Sequence, residues 1–70
     1  MKEYYTAAEL RIMYPETPGT WMEELLEKYA REGILDYCIS AYHGGVQIRL
    51  VSFLELLSWY QEIESERGNL

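Results

Sequence analysis

Hydrophobic and polar positions along the chain alternate with a helical period in three segments. Apolar residues recur every three or four positions over residues 21–32, and the same spacing starts after Ser52 and continues to about Ser65. A shorter run, Ala7–Met13, is ended by Pro15, because proline disfavours the helical conformation of the residue before it. This period places apolar side chains on one face of a helix, so the pattern predicts three helices.

Each predicted helix is preceded by a hydroxyl residue with a glutamate three positions later. These boxes begin at Thr6, Thr20 and Ser52. In such a box the hydroxyl side chain accepts a hydrogen bond from the backbone N–H of the glutamate. The glutamate side chain in turn accepts one from the backbone N–H of the hydroxyl residue. We therefore expect the three hydroxyl residues to be the N-caps of the three helices.

Between the second and third helices the period changes to two. Two alternating runs in residues 34–50 are separated by Gly44-Gly45, a pair typical of a tight hairpin turn. The positions expected to be buried are Leu35, Tyr37, Ile39, Val46, Ile48 and Leu50. The pattern predicts a single α+β domain over residues 1–70, with three helices and a two-stranded β-hairpin in the order α-α-β-β-α.

The composition of the chain limits the classes of function that it can have. The chain has 70 residues, 49% of them hydrophobic, and a net charge of −6, as expected of one small globular domain. One cysteine (Cys38) and one histidine (His43) are too few for a metal site, so we expect no metal. The small size and the composition of the chain lead us to expect no cofactor, no catalytic residues and no enzyme activity. No apolar run is long enough to span a membrane. A lone cysteine and an N-terminus without a secretory signal lead us to expect a cytoplasmic protein.

Three short runs carry a family resemblance. The run YTAAEL at residues 5–10 looks like the opening of MerR and excisionase DNA-binding domains, YHGGVQIR at 42–49 is similar to their wing, and SFLELL at 52–57 resembles their closing helix. The resemblance implies a small winged helix-turn-helix fold. In that family the second helix enters the major groove and the wing contacts DNA. The wing residues here are His43, Gly44, Gly45 and Arg49.

The charge of the second helix argues against DNA. Its outer face carries Glu23, Glu24, Glu27 and Arg31, and closely spaced phosphates repel such carboxylates. This face is interpreted either as an ordinary solvated helix face or as an acidic surface that docks a protein. Residues 14–19 also form a longer, two-proline turn than the family has between its first two helices.

Other candidate residues keep two interpretations each. His43 is a turn residue or a wing-tip contact, and Arg49 is a solvated strand residue or a contact to a DNA backbone. Leu54 and Trp59 lie on the flank of the third helix, where they form an apolar patch for a partner or a second copy, or cover a thin core. The sequence favours a non-catalytic binding module that docks a protein in a regulatory or mobile-element context. The alternative is an excisionase-like or MerR-like DNA-binding factor.

Overall fold

All three helices pack against the central strand of a short antiparallel sheet. The computed structural model describes residues 2–42 and 45–68. The elements are β1 (Tyr4–Tyr5), α1 (Ala7–Met13), α2 (Glu23–Arg31), β2 (Tyr37–Ile39), β3 (Val46–Arg49) and α3 (Leu50–Gly68). The sheet order is β1-β3-β2. The α+β class, the three helices and the hairpin are confirmed, while the order gains a first strand and becomes β-α-α-β-β-α. Within the described ranges, no helix is long and apolar enough to cross a membrane.

The capping box at Thr6 is confirmed. The Thr6 hydroxyl accepts from the Glu9 N–H at 3.1 Å, and the Glu9 carboxylate accepts from the Thr6 N–H at 3.0 Å. α1 has the predicted bounds, and Tyr14 leaves the helical conformation immediately before Pro15. This first helix follows directly from local sequence signals.

Glu9 makes stability depend on pH. The hydrogen bond from the Thr6 backbone N–H, followed by that from the Lys2 ammonium, holds the pKa of Glu9 below its ordinary value of 4.5. The stabilisation is therefore present above that value and is lost as pH falls through the lowered pKa. We expect wild type to be more stable than Glu9→Gln at neutral pH, and the difference to vanish in acid, as measured by urea denaturation across pH. Thr6→Ala should cost about 1 kcal/mol at neutral pH.

A control separates this effect from general charge effects. Glu16→Gln removes an exposed carboxylate that has no hydrogen bond or ion pair with the described residues. It is expected to leave the free energy of unfolding unchanged at every pH. A wild-type advantage over Glu9→Gln that persists below pH 4.5 and into strong acid would contradict the assigned cause.

The expectation that Thr20 caps the second helix is wrong. α2 begins at Glu23, and its N-cap is Met22, which makes no side-chain capping bond. The reason is Trp21. Its side chain is buried in the core, and its backbone N–H donates to the Pro18 carbonyl at 2.9 Å. The chain therefore stays outside the helix until Met22. The helix ends before Gly33, which has the positive φ (86°) expected of a C-terminal glycine.

The expectation that Ser52 caps the third helix is also wrong. α3 begins at Leu50, directly after β3, and the Leu50 N–H donates to the Glu3 carbonyl at 2.8 Å. Ser52 lies inside the helix, and its hydroxyl accepts from the Asp36 N–H at 3.0 Å. The hydroxyl thus ties the start of the hairpin to α3 instead of capping the helix.

The hairpin is confirmed, but part of its expected buried set is wrong. Leu35, Val46 and Ile48 are buried, whereas Tyr37 is 42% exposed and Ile39 is 57% exposed. Tyr37 lies opposite Ile48 and Ile39 opposite Val46, so all four share one face of the sheet. β2 is one of the two edge strands, and its edge of the sheet extends beyond the core. Leu50 is half-buried at the start of α3.

The buried members of the core come from every element except β1 and β2, and Tyr5 of β1 packs half-buried against them. The buried members are Ala7, Leu10, Trp21, Leu26, Ala30, Leu35, Val46, Ile48, Phe53 and Leu57. Aromatic rings fill the centre of the core: Trp21 packs edge-on against Phe53 at 6.2 Å and against Tyr60 at 5.4 Å. This packing fixes the inner faces of α2 and α3, and thereby which of their residues point outward.

Candidate functional site

The outer face of α2 is set by the residues that anchor the helix. Leu26 and Ala30 are fully buried, and Leu25 and Tyr29 pack half-buried against the core. The remaining positions of the helix are therefore directed away from the core. A charged residue on that side stays hydrated, so these positions are free to carry a functional charge.

Three glutamates form an acidic face on this outer side. Glu23 and Glu24 are exposed, Glu27 is half-buried, and Arg31 is exposed one turn beyond Glu27. In the described parts of the chain none of these three glutamates has an ion-pair partner. Glu23 and Glu24 lie in the first helical turn, where the helix dipole favours negative charge. The face therefore combines a favourable position for acids with uncompensated charge.

Glu24–Lys28 and Glu27–Arg31 are each spaced four residues apart, which favours both ion pairs along α2, but the pairs found are different. Lys28 pairs with Glu32 at 3.9 Å, whereas its expected partner was Glu24. The predicted pair between Glu27 and Arg31 is likewise not formed among the described residues. The pairing that does form removes a cation from the outer face and leaves the three glutamates as its dominant charge.

Most of the chain's positive charge is neutralised locally. The other ion pairs are Lys2–Glu9 at 3.1 Å, Arg67–Glu64 at 3.5 Å, and Arg49 with Glu3 at 3.8 Å and Asp36 at 3.7 Å. Within residues 2–42 and 45–68, Arg11 and Arg31 are the cations without a paired carboxylate. The described surface consequently presents two isolated cations and no continuous cationic ridge.

Arg49 is the last residue of β3, as expected, and 43% of its side chain is exposed, so the predicted exposure is met in part. Its guanidinium lies between Glu3 and Asp36, and its Nε is buried without a hydrogen-bond partner among the described residues. Its backbone N–H also donates to the Asp36 carbonyl at 2.8 Å. The strand β3 thus holds Arg49 between two carboxylates at the base of the hairpin, where its charge is largely compensated.

The wing tip is described only in part. The predictions for His43 and Gly44 lie outside the described residues. Gly45 is half-buried, and its carbonyl accepts from the Ser40 N–H at 2.9 Å, which closes the hairpin at its tip. Of the four predicted wing residues, the structure therefore places Gly45 at the turn and Arg49 at the opposite end of β3.

The predicted apolar flank of α3 is a groove. Leu54 and Trp59 lie together in a shallow depression of about 430 Å³, and Trp59 is 58% exposed. The other lining residues are Val51, Glu55, Ser58 and Glu62. Sequence reasoning missed Val51, because it placed the helix start three residues too late. Had the helix been extended to Leu50, the spacing of these positions would have shown them on one face.

Trp59 also borders a second groove. This depression of about 480 Å³ lies between α2 and α3, and its walls are largely apolar. Its lining residues are Trp21, Tyr29, Ile34, Leu56, Trp59 and Tyr60. The exposed indole of Trp59 therefore separates two adjoining apolar surfaces. In the described part of the chain no three His, Cys, Asp or Glu side chains lie close enough to hold a metal ion.

Comparison with protein-family models gives no match, and comparisons with curated proteins and with solved structures give none either. The likeness of three short runs to MerR and excisionase domains therefore stays a resemblance. What this chain binds has to be inferred from its own surfaces, of which the outer face of α2 and the groove on α3 are the most distinctive.

Proposed function

We propose that the chain is a non-catalytic binding module of winged-helix-like arrangement, which docks a basic protein surface through the acidic outer face of α2. The observation that carries this proposal is the set of three glutamates, Glu23, Glu24 and Glu27, without ion-pair partners among the described residues. A partner with lysines or arginines would supply the missing countercharges.

The element order supports the winged-helix-like arrangement. Two helices precede a β-hairpin and a third helix follows it, as the resemblance to MerR and excisionase domains implies. The connection between α1 and α2 covers residues 14–22, longer than the turn expected from that resemblance. In such domains the helix equivalent to α2 is the reading helix, so the acidic face occupies the position at which a ligand is bound.

Electrostatics favour a protein over DNA at this position. Affinity for DNA depends on cations that neutralise phosphates and release counterions. Here Lys28 is paired with Glu32, and Arg49 is held between two carboxylates. The chain as a whole carries a net charge of −6. Bringing this surface to a duplex would place like charges together, which disfavours the encounter.

A DNA-binding accessory role is the second candidate. It is favoured by Arg11 and Arg31, the two cations of the described surface that no carboxylate neutralises. Two phosphate contacts would give weak, salt-sensitive binding that needs a cooperating protein. This role and the protein-docking role predict different neighbours for α2.

Site-specific crosslinking tests the proposal. A photo-reactive amino acid replaces Glu24, an exposed residue of the acidic face, and cells of the source organism that express the chain are irradiated. We expect discrete protein adducts and no nucleic-acid adducts. The same amino acid at Glu16, exposed in the turn before α2, serves as the control and should give none of those adducts. Adducts with DNA at position 24, or no adduct that distinguishes the two positions, would contradict the proposal.

A further inference from the structure

α3 is apolar on two sides. Phe53 and Leu57 face the core and are buried. On another side Val51 is 56% exposed and Trp59 is 58% exposed, with the half-buried Leu54 between them. A helix that only covers a core carries polar residues on its outer side. The exposed apolar residues of α3 therefore have no role in the packing described above.

Six residues on this side form two parallel ridges, which we call the Trp59 stripe. One ridge is Val51, Glu55 and Trp59, and the other is Leu54, Ser58 and Glu62. The members of each ridge are four residues apart, and the shallow groove lies between the ridges. A groove between two such ridges is the surface into which the side-chain ridge of another helix packs.

We infer that the Trp59 stripe docks an amphipathic helix of a partner protein, with an apolar ridge flanked by lysines or arginines. Each ridge of the stripe carries one glutamate, and neither Glu55 nor Glu62 has an ion pair with a described residue. The two glutamates are seven residues apart, about 10 Å along the helix. The stripe therefore matches a helix that carries an apolar ridge between cations.

Charge disfavours those pairings of two stripes that bring their glutamates together. An antiparallel pairing of two stripes about a centre between Ser58 and Trp59 puts Glu55 of one copy opposite Glu62 of the other. A parallel pairing puts each glutamate opposite its own equivalent. Both of these pairings bring like charges together beside a desolvated contact, which is unfavourable. A basic helix turns the same two positions into attractions.

Trp59 is the anchor of this surface. Tryptophan is enriched among the residues that dominate binding energies, because its large ring desolvates a wide area. Its indole also borders the groove between α2 and α3, which offers a second apolar depression for a large side chain at the end of the partner helix. The inference depends on the Trp59 stripe alone and does not require a ligand on α2.

A displayed library of amphipathic helical peptides tests the inference. Its apolar ridge is fixed as leucine, and the flanking positions are randomised among lysine, glutamine and glutamate. Selection on the wild-type chain is expected to enrich peptides with lysine at the flanking positions. Titration of an enriched peptide by fluorescence anisotropy should then show at least about tenfold weaker binding to Trp59→Ala. Trp59 is exposed, so this variant keeps its core, which a circular dichroism spectrum verifies.

Two variants with the same change in charge provide the decisive comparison. Glu55→Lys/Glu62→Lys should bind the peptide at least about tenfold more weakly and select glutamate-flanked peptides instead. Glu16→Lys/Glu66→Lys should leave the affinity within about threefold, since it alters two exposed glutamates that lie outside both α2 and the Trp59 stripe. Equal weakening by both variants would show general charge attraction only and would overturn the inference. Enrichment of peptides without lysine, or of peptides whose affinity is unchanged by Trp59→Ala, would also overturn the inference. A wild-type dimer that is seen in sedimentation equilibrium and is dissociated by Trp59→Ala would overturn it as well. Crosslinking at Glu24 reports on the other face, so the two proposals fail separately.

Discussion

Replacing Phe53 with alanine is expected to remove most of the folding stability of this chain. Phe53 is fully buried, and its ring lies 5.9 Å from that of Tyr14 and 6.2 Å from that of Trp21. Truncating such a residue costs about 3–5 kcal/mol, because contacts are lost and a cavity is left. A chain of this length has a total stability of only about 4–10 kcal/mol. Urea denaturation followed by far-UV circular dichroism measures the loss.

The control for this substitution is Trp59→Ala on the same helix. Trp59 is larger than Phe53 but is mostly exposed, so its removal is expected to change the free energy of unfolding by less than about 1 kcal/mol. Comparing the losses of unfolding free energy in the two variants tests which side of α3 faces the core. Equal losses from the two variants, or a larger loss from Trp59→Ala, would show that the packing of α3 is different.

The second large effect concerns binding at α2. Glu23→Lys/Glu27→Lys reverses two of the three glutamates of the acidic face, and we expect it to weaken capture of the protein partner identified by crosslinking about a hundredfold. Opposing like charges in an interface cost several kcal/mol, and about 2.7 kcal/mol corresponds to this factor. Surface plasmon resonance with the purified partner measures it at matched ionic strength.

A second charge-reversal variant is the control for the change in net charge. Glu16→Lys/Glu66→Lys alters two exposed glutamates that lie outside both α2 and the Trp59 stripe and changes the total charge equally. It should retain the partner with an affinity within about threefold of wild type, because distant surface charges are screened. If both double variants lose the partner to the same extent, α2 is not the docking surface.

Local signals predicted those parts of the fold that depend on neighbouring residues. The bounds of α1 follow from Thr6, Glu9 and Pro15, which are close in sequence and interact as expected. The antiparallel pairing of β2 with β3 follows from a change of period. Strand β1 was missed, because two residues show no period and Tyr4–Tyr5 becomes a strand only by pairing with distant β3.

Long-range packing decided the remaining boundaries. Trp21 enters the core and delays the start of α2, so the hydroxyl of Thr20 never caps it. Ser52 is used by the distant Asp36 N–H and not by its own helix. Tyr37 and Ile39 alternate correctly but lie on an edge strand, beyond the reach of the helices. No local pattern carries this information.

The candidate site also has features that local sequence predicted and features that depend on distant residues. The outward direction of Glu23 and Glu24 followed from the helical period, and so did the exposure of Trp59. The position of Arg49 did not, because it depends on Glu3 from the chain's beginning and Asp36 from the start of the hairpin. A hydrophobic period carries no information about ion pairs between distant residues. In this chain such pairs largely compensate the charge of Arg49, the one arginine of the predicted wing.

The most direct test of the central claim is the affinity of the wild-type chain for a random-sequence DNA duplex, measured by fluorescence anisotropy at low salt. Because α2 presents carboxylates and most cations of the described surface are paired, no saturable binding is expected even at about 50 mM salt. Saturable binding at about 50 mM that falls steeply by about 200 mM would contradict it, since only a surface that neutralises phosphates behaves in that way.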